Sequence, residues 1–344
     1  MPETTPADPP GLDLGLLRAH LDRELPGLVQ GPLSASLIEG GRSNLTYVLT
    51  DGHSQWVLRR PPLGHVLATA HDMGREYRVM TALRDTDVPV PRTLHHDPTP
   101  DVLGAPWYLM EFVPGVAHRD PAPLVALGED RVRALGRRLI STLAALHRID
   151  PAAVGLADFG HPDGYLERQL RRWSKQLAAS RSRDLPELDR LHDLLSARRP
   201  ESPAPALVHG DYRLDNVLVD DNDAIAAVLD WEMSTLGDPL TDIGLLVMYT
   251  EVAGVGGGII PAAMTAPGFP SSKEMVAHYA ELTGRQAEDL EWYVAFAAFK
   301  LAVVAEGIHY RFRQGGTLGA GFERAGEMAP ILARYGLTTL KEAA

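Results

Sequence analysis

The chain has 344 residues, 45% of them hydrophobic and 23% charged, which is typical of a soluble globular protein and long enough for two lobes. A formal net charge of -12 argues against general nucleic-acid binding, which requires a basic surface. The absence of cysteine excludes disulfides, Cys-ligated zinc, iron–sulfur clusters and a thiolate nucleophile.

The first residues, MPETTPADPPG, are acidic and rich in proline, which predicts a disordered tail over residues 1–11 rather than a signal peptide. Two later stretches are apolar enough to compare with membrane-spanning helices. Residues 243–264 contain Glu251 and three consecutive glycines, and residues 291–310 contain Lys300 and Glu306. We therefore expect no membrane span and a cytoplasmic protein.

Strand patterns dominate the N-terminal half of the chain. Leu14, Leu17 and Leu21 recur at helical spacing, so a short helix follows the tail. Asp51-Gly52 is a strong hairpin signal between two strands. The predicted strands are Leu33–Ile38, Leu45–Thr50, Gln55–Arg59, Thr93–His96 and Trp107–Phe112, with a helix over His71–Arg84. This half predicts a five-stranded β lobe over residues 12–112.

Helical patterns dominate the C-terminal half. A connector near residues 112–116 contains Pro114-Gly115, and helices prevail from about Pro121, including a long periodic one over Val132–Ile149. A small island of strands interrupts them. Two apolar runs, 207–208 and 217–219, flank a polar loop and predict a strand pair, and residues 224–230 predict a further strand. We expect a helical lobe over residues 113–344.

The polar loop of this island carries residues suited to phosphoryl transfer. It contains His209-Gly210-Asp211 with Asn216 five residues after the aspartate, and Asp230 ends the next apolar strand. Phosphoryl transfer needs a carboxylate to orient or deprotonate the acceptor hydroxyl and oxygen ligands for Mg²⁺. Asp211 can face the acceptor, whereas the amide oxygen of Asn216 and the carboxylate of Asp230 can reach the metal.

These motifs resemble the aminoglycoside phosphotransferase and choline kinase-like family, which is related to the protein kinases. The resemblance covers roughly residues 35–310. The segments Val57-Leu58-Arg59-Arg60-Pro61-Pro62 and His209-Gly210-Asp211-Tyr212-Arg213-Leu214-Asp215-Asn216 are most similar to the kinase-like domains fused, in animals, to acyl-CoA dehydrogenases. The resemblance implies an α+β, bilobal protein-kinase-like fold, with a five-stranded antiparallel N-terminal lobe and a mainly helical C-terminal lobe.

The resemblance also implies ATP and Mg²⁺ as cofactors and assigns the residues around them. Asp211 is the expected catalytic base, and Asn216 and Asp230 are the expected metal ligands. The expected nucleotide-binding residues are the phosphate-covering Gly40, Gly41, Ser43 and Asn44, the phosphate-binding Arg59 with its partner Glu76, and Glu111 and Val113 at the adenine connector. Arg59 is a departure, because the family has lysine there and no lysine precedes Lys175.

Several nearby residues leave their roles open. His209 is expected to hold the loop backbone, Asp215 and Asp242 to brace the loop, and Asp238-Pro239 to cap a helix rather than bind metal. Arg213 fits either a salt bridge or an anionic group of the substrate. A further group at near-helical spacing fits either a solvated helix edge or a wall of the acceptor pocket: Lys300, Glu306, His309 and Arg313.

We therefore predict an ATP- and Mg²⁺-dependent O-phosphotransferase acting on a small hydroxylated molecule, as a monomer or homodimer that binds no nucleic acid. The resemblance suggests a hydroxyacyl thioester or another lipid-derived alcohol as acceptor, in preference to an aminoglycoside. The main alternative is a nucleotide-binding, pseudokinase-like module without transfer activity, for which Arg59 is the support. A metal-dependent phosphoesterase ranks last, because a two-metal site needs further His and Asp ligands that bridge the ions, and we identify no such set to accompany His209 and Asp211.

Overall fold

The computed structural model describes residues 8–38, 44–63, 72–255, 260–315 and 324–342. Its contacts divide the chain into an N-terminal unit, Met1–Pro114 with Ala227–Glu232, and a C-terminal unit, Gly115–Ala226 with Met233–Ala344. The sequence placed the division between residues 112 and 113 and did not separate residues 227–232 from the helical half. The mixture of one five-stranded sheet and many helices confirms the predicted α+β class.

The N-terminal unit contains two helices and one sheet, whose order is β1-β2-β3-β5-β4. All neighbouring strands in it are antiparallel, as predicted. The elements are α1 (Leu14–Glu24), β1 (Ser34–Leu37), β2 (Leu45–Thr50), β3 (Gln55–Arg60), α2 (Met73–Leu83), β4 (Thr93–Asp97) and β5 (Trp107–Glu111). The five strands and α2 each lie within two residues of the bounds predicted for them.

Alternation along the strands gives this sheet two faces. Apolar side chains from β2, β3 and β5 pack against α1 in one buried cluster, which includes Leu17, Leu21, Tyr47, Leu49, Trp56, Leu58, Trp107 and Leu109. Side chains of the intervening positions point to the opposite face, where α2 contacts β4 and β5. Arg59 of β3 and Tyr108 of β5 are cross-strand partners, so both belong to this α2 face.

The C-terminal unit is mainly helical, as predicted. Its helices are α3 (Pro121–Leu127), α4 (Glu129–Arg148), α5 (Tyr165–Ser180), α6 (Pro186–Ala197), α7 (Leu240–Glu251), α8 (Ser272–Thr283), α9 (Leu290–Arg313) and α10 (Ala325–Glu342). The short strands are β6 (Ala206–Val208), β7 (Val217–Val219), β8 (Ile225–Val228), which runs into the N-terminal unit, and β9 (Thr235–Gly237). Helix α9 packs against α5, α6, α7 and α10.

The strand pair expected across the polar loop is wrong. Strand β6 pairs with β9, and β7 pairs with β8, so the two runs that flank the loop belong to different two-stranded sheets. A 3₁₀ turn over Leu214–Asn216 ends the loop immediately before β7. Strands of three residues carry too little pattern to specify a partner, and the loop between them is therefore held by side chains rather than by a hairpin ladder.

Among the described residues, α9 is the one helix long and apolar enough by composition to cross a membrane. However, 72% of its most apolar 18-residue window is buried inside the protein. Its apolar side chains are therefore engaged with the neighbouring helices.

Candidate active site

A buried cluster of charged and polar side chains surrounds Arg59 in the N-terminal unit; we call it the Arg59 cluster. The guanidinium donates to the Asp230 carboxylate at 2.6 Å and lies 3.5 Å from the Glu76 carboxylate. The Tyr108 hydroxyl donates to Glu76 at 3.1 Å, and the Asn44 amide donates to the other Glu76 oxygen at 3.4 Å. The predicted Arg59–Glu76 pair is therefore present, and Asp230 completes it.

Local structure explains why these side chains meet. Arg59 and Tyr108 face α2 from neighbouring strands, and Asp72 caps α2 by accepting from the Arg75 amide, which places Glu76 in the first turn of the helix. Burial raises the pKa of Glu76 to about 6, although Arg59 acts in the opposite direction. Burial alone would lower the pKa of Arg59, but Glu76, Tyr108 and Asp230 raise it, so the guanidinium stays charged.

Asp230 adopts an uncommon backbone conformation. Its φ of 65° lies in the left-handed region, where residues other than glycine are seldom found. The chain is held on the preceding side, where the Val228 amide donates to the Pro89 carbonyl and the Trp231 indole donates to the Val228 carbonyl. Such strain persists only where neighbours fix it, and it concentrates at functional positions.

In the C-terminal unit, residues 209–216 form what we call the HGD loop. The fully buried carboxylate of Asp242, in the first turn of α7, accepts from the amides of His209 at 2.7 Å and Gly210 at 2.8 Å, and from the His147 ring at 3.1 Å. The expected bracing role of Asp242 is confirmed. Gly210 has φ 85°, and a Cβ there would lie 2.7 Å from the Met233 carbonyl oxygen, so only glycine fits.

Two neutral donors hold the carboxylate of Asp211. The Asn216 amide donates to one carboxylate oxygen at 3.0 Å, and the Tyr249 hydroxyl donates to the other at 3.2 Å. Burial raises the pKa of Asp211, but the charges of Arg213, Lys300 and His209 and the hydrogen bond from Asn216 together outweigh burial, and the net pKa lies below the usual range. The carboxylate is therefore ionised at neutral pH.

The residues expected to bind Mg²⁺ offer suitable oxygen atoms. The Asn216 amide nitrogen also donates to the Asp211 carbonyl at 2.8 Å, so this amide has both its hydrogens committed and its oxygen as the remaining ligand atom. Asp230 keeps a 29% exposed carboxylate, one oxygen of which contacts Arg59. Within the described ranges no group of three or more His, Asp or Glu side chains could hold a metal ion. Mg²⁺ commonly uses one or two protein ligands together with substrate phosphates, and each of these residues by itself offers an oxygen of the kind that Mg²⁺ binds.

Of the other residues predicted to bind the nucleotide, the structure describes only some. Gly40, Gly41 and Ser43 lie outside the described residues. Glu111 ends β5, where its side chain accepts from the Arg92 amide at 2.9 Å, and Val113 follows the strand, part-buried, just before the unit boundary. Glu111 thus belongs to the last residue pair of the sheet and Val113 to the segment predicted as the connector, and their role in binding adenine stays a prediction.

The structure shows contacts of two residues whose roles the sequence left open. The Arg213 guanidinium lies 3.3 Å from the Asp215 carboxylate and 3.4 Å from the Asp211 carboxylate, and 5.0 Å from the centre of the Tyr249 ring. Glu306 is fully buried and accepts from Ser182 at 2.8 Å and from Arg183 at 3.0 Å, so it ties α9 to the loop after α5 rather than lining an open wall.

The structure also shows the contacts of two further residues, Asp238 and Tyr249. Asp238 accepts from the Leu240 amide at 3.0 Å and from the Tyr293 hydroxyl at 2.8 Å, which fits the expected capping role. Tyr249, which sequence analysis missed, lies seven residues after Asp242 on α7. Two side chains at this spacing share one helix face, and that was the available signal.

Comparisons with known proteins bear on the family and the fold of the chain. Residues 34–278 match the sequence model of the phosphotransferase enzyme family. Mouse (Mus musculus) acyl-CoA dehydrogenase family member 10 is 33% identical over 91% of this chain and 30% of its own length. Chicken (Gallus gallus) acyl-CoA dehydrogenase family member 11 is 34% identical over 96% of this chain and 44% of its own length. The chain therefore spans less than half the length of these curated relatives.

A solved structure from Ralstonia eutropha JMP134, provisionally described as an aminoglycoside phosphotransferase, superimposes with a TM-score of 0.82 and 34% sequence identity, covering 96% of this chain and 98% of that one. The resemblance predicted from the sequence is confirmed. With the family model matching more than half of its length, the chain belongs to the phosphotransferase enzyme family and has its kinase-like fold.

Proposed function

We propose that this protein is an ATP- and Mg²⁺-dependent O-phosphotransferase that acts on a small hydroxylated molecule. The observation that carries the proposal is the Asp211 carboxylate, which is ionised and oriented by Tyr249 and Asn216 at 3.2 and 3.0 Å. A fixed carboxylate of this kind is what an acceptor hydroxyl requires in phosphoryl transfer. Family membership supports the reaction class.

The N-terminal unit would bind the nucleotide. Arg59, kept charged by Glu76, would steady the α- and β-phosphates, and residues 40–44 would cover them. The backbone at Glu111 and Val113 would receive adenine. Asn216 and Asp230 would hold Mg²⁺, which, when bound, supplies charge neutralisation on the transferring phosphates.

The proposed chemistry is direct transfer. The acceptor oxygen forms a bond to the γ-phosphorus, the bond between that phosphorus and the bridging oxygen of ADP breaks, and the hydroxyl proton passes to Asp211. Because the pKa of Asp211 lies below its usual range, we assign this residue to orientation first and proton acceptance second. Most of the rate would come from positioning and charge stabilisation.

For the acceptor we propose a hydroxyacyl thioester or another lipid-derived alcohol. The charges beside Asp211 support this choice, because Arg213 and Lys300 contribute positive potential at its carboxylate. A polycationic aminoglycoside would be repelled there unless acidic groups compensated. The matched relatives belong by name to an acyl-CoA dehydrogenase family, which is consistent with an acyl thioester. We propose a cytoplasmic monomer or homodimer without a nucleic-acid partner.

A nucleotide-binding module without transfer activity is the second candidate. It is favoured by one contact, the 2.6 Å hydrogen bond from Arg59 to Asp230, which engages the phosphate-binding residue and a metal ligand with each other. For transfer to occur, nucleotide and metal must exchange this contact for their own.

Substitution of Asp211 by asparagine tests the proposal. ATP consumption is measured across hydroxyacyl-CoAs, choline, sugars and aminoglycosides, with Asp221→Asn, an exposed aspartate in the β7–β8 turn, as the control. Asp211→Asn keeps the shape of the side chain and should lower turnover by roughly 10²–10⁴-fold, with little change in MgATP affinity. Turnover at the wild-type rate would refute the role of Asp211. MgATP binding without consumption on any acceptor would favour the second candidate.

A further inference from the structure

We infer that Lys300, in the middle of α9, is a positioning residue that fixes the peptide plane carrying Asp211. This inference rests on the proposed function. The Lys300 ammonium donates a hydrogen bond to the carbonyl oxygen of Gly210, the residue immediately before Asp211 in the chain. Lys300 is thus joined to the HGD loop from a helix 90 positions further along the sequence.

The surroundings of Lys300 differ from those of a lysine at a solvated helix edge. Its neighbours on α9 include the buried Phe299, Ala298 and Ala302, and its ammonium lies 5.5 Å from the centre of the Trp173 ring. Loss of hydration on burial lowers the pKa of Lys300, whereas Asp211 and Asp242 act in the opposite direction. A lysine that only covered apolar surface would extend its ammonium into water. This ammonium ends on a carbonyl and an indole.

The contact matters because of what the Gly210 carbonyl controls. The Gly210 carbonyl and the Asp211 amide belong to one planar peptide group. Asp242 holds the Gly210 amide at 2.8 Å, and His209 accepts from the Asp211 amide at 3.2 Å. Lys300 adds the third restraint, on the carbonyl. The direction in which Asp211 leaves the backbone is therefore set by groups from α7, α9 and the loop itself.

The position of Gly210 makes this restraint necessary. Its φ of 85° belongs to the region that glycine enters without steric cost, and glycine also leaves it easily because it lacks a side chain to limit rotation. Without a donor on its carbonyl, the peptide between Gly210 and Asp211 would be held only by the bond from the Asp211 amide to His209, and it could rotate against that one bond while the Asp242 contacts stayed intact. Small displacements of this kind are costly, since a shift of about 1 Å in a reacting group can lower turnover by about 10².

The test compares Lys300→Met, which keeps the length and apolar stem, with Lys300→Arg, which keeps the charge and donor. Lys175→Met, which removes an exposed lysine of α5, is the matched control. Hydrogen–deuterium exchange is followed in peptides spanning residues 207–217. ADP release from MgATP is measured both with the best acceptor of the panel and with water alone as acceptor.

Lys300→Met should speed exchange in the 207–217 peptides and lower kcat by about 10–100-fold, with KM for MgATP within about twofold of wild type. Lys300→Arg should recover most of both losses, and Lys175→Met should behave as wild type. Wild-type exchange in Lys300→Met would overturn the inference. So would a kcat loss accompanied by equally increased exchange throughout the helices, because Lys300 would then stabilise the unit as a whole.

The exchange measurement separates this inference from the proposed function. If no variant, including wild type, releases ADP, the proposed function fails, while the exchange of the 207–217 peptides still decides whether Lys300 holds the loop. If wild type is active and Lys300→Met is equally active with a loosened loop, the positioning role fails and the proposed function stands.

Discussion

Replacing the buried Asp242 with asparagine should destabilise the protein by far more than the same change at an exposed aspartate. One oxygen of the buried carboxylate accepts from the His209 amide and the His147 ring, and the other accepts from the Gly210 amide. Asparagine has only one acceptor oxygen. If that oxygen keeps the first two donors, its amide group faces the Gly210 N–H, and a buried donor is left opposite another donor.

The magnitude follows from these three contacts. A buried donor without an acceptor costs about 1–3 kcal/mol, and each surviving bond loses about 1 kcal/mol when its acceptor is no longer charged. Relief from burying a charge offsets part of this sum. We expect a net loss of about 3 kcal/mol from a folding free energy of about 5–15 kcal/mol. The melting temperature should fall by roughly 4 °C.

Urea unfolding and thermal melts of wild type, Asp242→Asn and the exposed control Asp221→Asn measure this loss. The pH dependence adds a second readout. Burial raises the pKa of Asp242, but the hydrogen bonds and charges of His147 and His209 together lower it by more than burial raises it. The folded-state pKa therefore lies below the unfolded one. The stabilisation is therefore present above the unfolded pKa and is lost as pH falls through the folded pKa, and the gap between variant and wild type should narrow in acid. A loss no larger than that of Asp221→Asn would refute this account of the loop.

Two further predictions concern the Arg59 cluster. Arg59→Lys should weaken MgATP binding several-fold and lower the free energy of unfolding by about 1–2 kcal/mol, because one ammonium cannot contact both Glu76 and Asp230 as the guanidinium does. Calorimetric titration measures the affinity and urea unfolding measures the stability. An unchanged MgATP affinity would argue against a phosphate-binding role for Arg59. Glu76→Gln should remove a pH dependence: with a folded pKa of about 6 against 4.5 unfolded, Glu76 stabilises the folded state below pH 4.5 and loses that contribution as pH rises through 6. The difference amounts to up to about 2 kcal/mol in urea unfolding between these pH values, and equal slopes for both proteins would contradict it.

The Arg59 cluster shows how much of a site alternation alone can predict. Strand β3 was predicted within one residue, and period-two alternation then places Arg59 on the face opposite Trp56 and Leu58. The helix over residues 73–83 covers that face, but its Glu76 was assigned as the partner of Arg59 from the family resemblance and not from alternation. Tyr108 was not predicted, because its place opposite Arg59 depends on the register of β5, which short strands do not specify.

In the HGD loop, the contact within the loop was predictable from the sequence, whereas the contacts from distant helices were not. Asp211 and Asn216 are five residues apart, so their proximity was predictable from a single turn. Tyr249 and Lys300 reach the same loop from α7 and α9, at separations of 38 and 90 residues. No local pattern sets such contacts, because they depend on how the helices pack. For the same reason the partners of β6 and β7 were wrong.

The groups around Asp211 favour orientation over base strength. A strong general base has a pKa near the working pH, yet Arg213 and Lys300 lower the pKa of this carboxylate despite its burial. Tyr249 and Asn216 each occupy one lone pair of a different oxygen, and a carboxylate oxygen offers about two, so an acceptor hydroxyl can bind without displacing either donor. In a phosphoryl transfer whose transition state develops little charge on the attacking oxygen, proton removal can lag behind bond formation. A carboxylate that is always ionised and already fixed then serves the reaction better than a stronger base that has to move.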